Sequence, residues 1–163
     1  WKDGYGGMTS NGSIVGYDSP AGGTFCETSI VHGGRQSMPL RYRNIAPISY
    51  SEVERTWIPP QNWTLYGADV LSLYFRGDPN ANTPDTLYLT VKDFGGHAAT
   101  VKHPEAAVAA GEWQQWTIPF SDLGVNAAQI QSMLIGIGDR TNPKYGSGTL
   151  FVDDIQLIRR PKP

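Results

Sequence analysis

Cysteine is almost missing from this chain. Cys26 is the only one in 163 residues, so no intramolecular disulfide holds the fold, and Cys26 itself reads as a buried small hydrophobe. Histidine is nearly as scarce. His32, His97 and His103 have no tight metal-ligand spacing, and Cys26 is the one thiol, so a zinc site is not expected. Charge is sparse too, at 17% of residues against about 25% in average soluble domains. The formal net charge is −2 and no basic run occurs, which argues against nucleic acid as a partner. No apolar stretch approaches the ~18–20 residues of a membrane helix. No signal peptide is visible in the polar, Gly-rich stretch that starts at Trp1. There is no Gly-x-Ser-x-Gly, phosphate loop or nucleotide fingerprint, and Gly4-Tyr-Gly-Gly7 lacks the strand–helix context of a phosphate cradle.

What is abundant is punctuation. Nineteen Gly and twelve Pro divide the chain into short segments whose apolar residues alternate with period two. A short strand is predicted near Gly12–Tyr17, and then strands at Ser37–Asn44, Ser51–Trp57 (ending at Pro59-Pro60), Val70–Gly77, Thr86–Phe94, Ala98–His103, Trp113–Phe120, Met133–Gly138 and Thr149–Ile158. Leu71, Leu73 and Phe75 share one parity. So do Leu87, Leu89 and Val91, and likewise Trp116, Ile118 and Phe120. Gly95-Gly96 reads as a hairpin turn. Glu105–Ala110 could make one helical turn, and Ser121–Ser132 a small helix behind a Ser N-cap. The long crossover helices of a parallel sheet are missing. The expectation is a single all-β domain over residues 1–163, an antiparallel sandwich or jelly roll of about eight to ten strands. Residues 1–30 would form an irregular N-terminal part and residues 31–158 the core sandwich.

Three segments carry a family likeness. Val31-His-Gly-Gly-Arg-Gln-Ser-Met-Pro-Leu-Arg-Tyr42 resembles a strand entry in which Gly-Lys/Arg-x-Ser precedes alternating apolar residues. Glu112-Trp-Gln-Gln-Trp-Thr-Ile-Pro-Phe-Ser-Asp-Leu123 is similar to a "Trp, then Ile-Pro-Phe-Ser-Asp" strand. Gly148-Thr-Leu-Phe-Val-Asp-Asp-Ile-Gln-Leu157 resembles a closing strand with an Asp-Asp pair. In that order and spacing, over residues 31–158, they resemble the calcium-bearing β-sandwich carbohydrate-binding modules of families 4, 11, 16 and 22, which are galactose-binding-like in fold. The resemblance implies a non-catalytic module that binds a polysaccharide, a β-glucan or related plant or algal glycan. It also implies a monomeric piece of a larger multidomain, secreted bacterial protein, and a structural Ca2+ with Asp153 and the carbonyl of Arg35 in its shell. His32 falls where relatives carry a side-chain ligand.

Sugar rings present C–H patches rimmed by hydroxyls, so a binding face needs flat rings and planar hydrogen-bonding groups. The outward-facing residues Arg41, Arg43, Tyr74, Arg76, Tyr88, Trp113 and Gln115 supply both, and they are expected to line one face. Gly136, Gly138 and Arg140 share an outward row where glycine would hollow a groove, and Asp139 with Arg140 could clamp a ligand at its end. Two other readings stay open. Glu52 and Glu54 lie ~7 Å apart along one strand face, which roughly suits a glycosidase pair. A structural or adhesion module is the other.

Overall fold

The computed structural model describes residues 1–4, 11–17, 23–104 and 107–160. Among them are nine strands: β1 (Ile14–Val15), β2 (Met38–Asn44), β3 (Tyr50–Gln61), β4 (Val70–Arg76), β5 (Leu87–Asp93), β6 (Ala98–Lys102), β7 (Gln114–Pro119), β8 (Ile130–Gly138) and β9 (Gly146–Ile158). They form two antiparallel sheets. Sheet I has the order β1-β2-β9-β4-β7 and sheet II the order β3-β8-β5-β6. The architecture is the antiparallel sandwich that the alternation predicts. Its core is the inward parity of each strand: Leu40 and Tyr42, Leu71, Leu73 and Phe75, Leu87, Leu89 and Val91, Trp116 and Ile118, Met133, Ile135 and Ile137, and Leu150 and Val152, all buried. Burial of these side chains is the main favourable term holding the sheets together.

Three local expectations are corrected. Ser121–Ser132 is not a helix. Two single 3-10 turns, Phe120–Asp122 and Ala127–Gln129, flank Gly124 at φ 57, and Asn126, not Ser121, caps the second by accepting from the Ala128 N–H. Ile130 is fully buried, so the chain must already be extended there to feed β8. The strand ending near Trp57 runs on to Gln61, and its ladder to β8 lapses between Thr56 and Gln61. Proline has no N–H to give a ladder but tolerates extended backbone on an edge strand such as this. Cys26 is half-buried, not buried. Of the predicted turn at Glu105–Ala110, a 3-10 turn at Ala107–Ala109 is present, and residues 105–106 lie outside the described residues.

A buried polar cluster fixes one end of the sandwich. Ser51 donates to Asn44 Oδ1 (2.7 Å), and the Asn44 amide donates to the Ile137 carbonyl (3.1 Å) and to Asp85 (3.2 Å). It joins the end of β2, the start of β3, the turn before β5 and the end of β8. Burial pushes the Asp85 carboxyl above its ordinary range. Nearby, Tyr42 is 2% exposed and donates its hydroxyl to the Thr83 carbonyl at 2.7 Å.

The segment from Gly23 to Ser37 lies against the outer face of sheet I. Glu27 Oε1 accepts the N–H groups of Thr28, Ser29 and Ile30, and Oε2 accepts the Tyr17 hydroxyl at 2.6 Å. Asp153 Oδ2, from β9, accepts the N–H groups of His32 (2.9 Å) and Gly33 (3.2 Å). His32 stacks on Tyr74 with 3.6 Å between centroids and pairs with Asp154 at 2.7 Å. The outer face of sheet I is therefore covered around Tyr74.

Two outcomes follow from these anchors. Tyr42→Phe strands the Thr83 carbonyl and is expected to lower the unfolding free energy by about 1–2 kcal/mol, read from urea midpoints at unchanged slope. The Tyr17 hydroxyl bond, together with three backbone N–H groups, holds the Glu27 carboxyl below its ordinary value. Its stabilising contribution is thus present above pH ~4.3 and lost as pH falls through the lowered folded value. Urea titrations from pH 7 downward should show Glu27→Gln less stable than wild type at pH 7, with the difference shrinking as the pH is lowered.

Candidate functional site

Among the described residues the outer face of sheet II is open, and its register can be read as rows. Glu52 (β3), Gly136 (β8), Tyr88 (β5) and Lys102 (β6) are successive cross-strand partners. The next row is Glu54, Leu134, Thr90 and Thr100, and the third is Thr56, Ser132, Lys92 and Ala98. Over the first two rows, and closed at one end by the turn after β8, lies a groove of about 380 Å³ lined by Glu52, Tyr88, Thr90, Lys102, Asp139 and Arg140 among others.

Its floor depends on a missing side chain. A Cβ on Gly136 would collide with the Tyr88 ring, so the ring lies flat across β8 and delivers its hydroxyl to Glu52 Oε2 at 2.8 Å. Tyr88 is only 7% exposed. Burial, reinforced by the charge of Glu52 and the bond to it, raises its phenol well above the ordinary range, so it stays a neutral donor. The other oxygen of Glu52 accepts from Arg140 Nη2 at 2.6 Å, and the Arg140 guanidinium carbon sits 3.5 Å over the Tyr50 ring centroid. Burial alone would lower the Arg140 value, but the hydrogen bond and charge of Glu52 outweigh it and the net direction is upward.

The opposite wall is built by Asp139. Its Oδ2 takes Lys102 at 2.8 Å, while Oδ1 accepts the N–H groups of Thr141 and Asn142 and the Thr141 hydroxyl. The Lys102 bond first, then those from Thr141 and Asn142, hold this carboxyl far below its usual range. Asp139 thereby caps its own turn and ties it to β6. Lys92 pairs with Glu54 at 3.6 Å, and Thr90 and Thr100 exchange a 2.7 Å hydroxyl bond. Among the described residues the groove and its margin hold three cation–carboxylate pairs: Lys92–Glu54, Lys102–Asp139 and Arg140–Glu52.

The predicted binding residues divide between two faces. Tyr88, Asp139 and Arg140 meet in the groove on sheet II. Tyr74, Arg76, Arg41, Arg43 and Gln115 point outward from sheet I, on the far side of the sandwich, and Trp113, just before β7, meets His32 edge-on at 5.6 Å. The expectation of one shared face is therefore corrected: parity tells inward from outward, but not which sheet a strand joins. Gln115 donates to Ser72 at 2.9 Å, and Tyr74 lies beneath His32. The predicted hollowing by Gly136 is real, but Tyr88 fills the hollow. Glu52 and Glu54 do share a face, yet both oxygens of Glu52 are held by Tyr88 and Arg140, and Glu54 faces Lys92. Lys102 and Thr100 were not singled out by sequence, although the Gly95-Gly96 hairpin sets them opposite Tyr88 and Thr90.

Asp153, expected in a calcium shell, is engaged by backbone donors in the described structure. A cation needs several oxygens turning lone pairs to one point. The Asp153 oxygens instead face three N–H groups, those of His32, Gly33 and Asp154, and Asp154 is engaged by His32. Among the described residues no three His, Cys, Asp or Glu side chains gather.

No family model matches the chain. In sequence, 64 residues are 34% identical to a stretch of an NAD-specific glutamate dehydrogenase of Halomonas elongata, covering 39% of this chain and 4% of that protein. In structure, the chain is similar to a family 30 carbohydrate-binding module (TM-score 0.61, 13% identity, 83% of this chain and 82% of that one). It is also similar to the family 11 module of a cellulosomal cellulase of Clostridium thermocellum (TM-score 0.56, 19% identity, 97% and 92%). It matches an exo-β-agarase with a TM-score of 0.61 and 14% identity over 84% of this chain, spanning 22% of the agarase. These likenesses establish that the fold is the β-sandwich seen in carbohydrate-binding modules.

Proposed function

We propose that the protein is a non-catalytic carbohydrate-binding module that holds a polysaccharide, a β-glucan or related glycan, in the groove on the outer face of sheet II. The observation that carries this reading is the row Glu52–Gly136–Tyr88–Lys102 with Asp139 and Arg140 closing over it. Charged, hydrogen-bonding groups stand there on rigid strands around an open groove, each held in place by a partner. Paired side chains of this kind have lost their rotamer freedom before a ligand arrives, so binding costs less entropy. The sandwich also resembles solved carbohydrate-binding modules, one of them in complex with a β-1,3-1,4-mixed-linked tetrasaccharide (TM-score 0.53, 19% identity). Recognition here is chiefly polar, because Tyr88 is only 7% exposed and leaves little ring surface for a sugar to stack on. The carboxylates do not favour hydrolysis: both oxygens of Glu52 are taken up by Tyr88 and Arg140, and those of Asp139 by Lys102 and its own turn, so neither is free to serve as acid or base in the groove. Attachment to a larger secreted enzyme is the setting in which such a groove is useful, since it would concentrate that enzyme on its polymer.

Calorimetry or affinity electrophoresis against mixed-linkage β-glucan, xyloglucan, xylan and agar oligosaccharides should detect binding to at least one. Lys102→Ala should weaken that binding about tenfold, from loss of a charge-assisted hydrogen bond of roughly 1.5 kcal/mol or more. Tyr74→Ala and Trp113→Ala, on the far sheet, should leave it within twofold. Silence across the whole panel, or loss of binding from the far-sheet variants alone, contradicts the reading. Addition of EDTA should change neither the affinity nor the melting temperature, and a drop of several degrees would restore the calcium site.

A further inference from the structure

Tyr88 is submerged in the floor of the groove, and Tyr50, at the groove's end, is capped by Arg140. A sugar entering this groove therefore meets the Arg140 side chain, 55% exposed, where a ring would ordinarily stand. Its guanidinium is held on two sides. Its guanidinium carbon sits over the Tyr50 ring, 3.5 Å from the centroid, and Glu52 Oε1 grips one edge nitrogen at 2.6 Å. Its backbone is fixed as well, because the preceding Asp139 caps the turn and is tied to Lys102. We propose that Arg140 is the ligand platform of the groove: its open guanidinium face packs against the C–H face of a pyranose, and its remaining N–H groups bond that ring's hydroxyls. The inference rests on the reading of the groove as a glycan site and assigns its central contact and ligand class.

A guanidinium is planar, weakly hydrated and rich in in-plane donors, so it combines a flat surface with the directional bonds of a polar clamp. Stacking on Tyr50 and pairing with Glu52 pay the ordering cost before the sugar binds. The class of ligand follows from charge. Glu52 already neutralises Arg140, Asp139 neutralises Lys102, and Glu54 faces Lys92. The groove thus offers hydrogen bonds without net positive charge, which suits an uncharged hexopyranose chain and gives a sulfated or uronic one no electrostatic advantage. Tyr50 and Glu52 act through Arg140 as positioning residues.

The test is calorimetry of the whole chain with a mixed-linked β-1,3-1,4-glucan tetrasaccharide, a neutral agar oligosaccharide and a sulfated carrageenan oligosaccharide. Arg140→Lys keeps the charge but loses the plane, and it is expected to weaken binding at least tenfold. Tyr50→Phe keeps the ring under Arg140 and should stay within twofold, whereas Tyr50→Leu removes it and should cost three- to tenfold. Melting temperatures of all three variants, which alter exposed or half-buried positions, separate lost contact from lost fold. The sulfated chain should bind no tighter than the neutral ones. Neutral-glycan binding by wild type that survives Arg140→Lys within twofold overturns the platform while leaving the groove reading standing. A preference for the sulfated chain overturns the ligand class. Wild type that binds none of the three overturns both.

Discussion

The groove depends on glycine at position 136. Because β8 carries no side chain there, the Tyr88 ring can cross it from β5 toward β3 and place its hydroxyl on Glu52. Glu52, so oriented, turns its second oxygen to Arg140, and Arg140 lies down on Tyr50. A single absent Cβ thereby links three strands and the turn after β8 into one polar assembly. Two members would be costly alone: a nearly buried phenol without a partner and a carboxylate on a half-buried strand face. Together they satisfy one another, as buried polar networks must if they are to rigidify a structure.

The two faces of the sandwich have been put to different uses by the same chemistry. On sheet I, carboxylates collect backbone N–H groups: Glu27 gathers those of its own turn, and Asp153 gathers those of His32 and Gly33. The result is a covered face, with His32 packed on Tyr74. On sheet II the carboxylates meet cationic side chains, whose heads remain partly in water. One arrangement closes a surface, and the other leaves charged hydrogen-bonding groups displayed around a groove.

Much of this was legible in the sequence. Period-two alternation located the strands and the inward residues, since the pleat forces every second side chain to one side. Gly95-Gly96 announces its hairpin, and the outward parity of Tyr88 and the small row at Gly136 and Gly138 are visible in the sequence. Sheet membership was not legible. Tyr74 and Tyr88 both point outward from consecutive seven-residue strands, yet β4 pairs with β7 and β9 while β5 pairs with β6 and β8. That choice is made by long-range pairing, which local periodicity does not encode. For the same reason Arg41, Arg43, Arg76 and Gln115 were grouped with residues on the opposite side of the molecule. The Asp153 carboxylate was also beyond reach, because whether it faces a cation or N–H groups depends on how the segment around His32 settles on the sheet.

The most direct test of the central claim is a backbone 15N–1H correlation spectrum recorded during titration with a soluble neutral glucan oligosaccharide. The account predicts that shifts cluster at Glu52, Tyr88, Thr90, Thr100, Lys102 and residues 138–141, with Tyr74, Arg76, Trp113 and Gln115 unmoved. Shifts confined to those last four, on the outer side of sheet I, would contradict it.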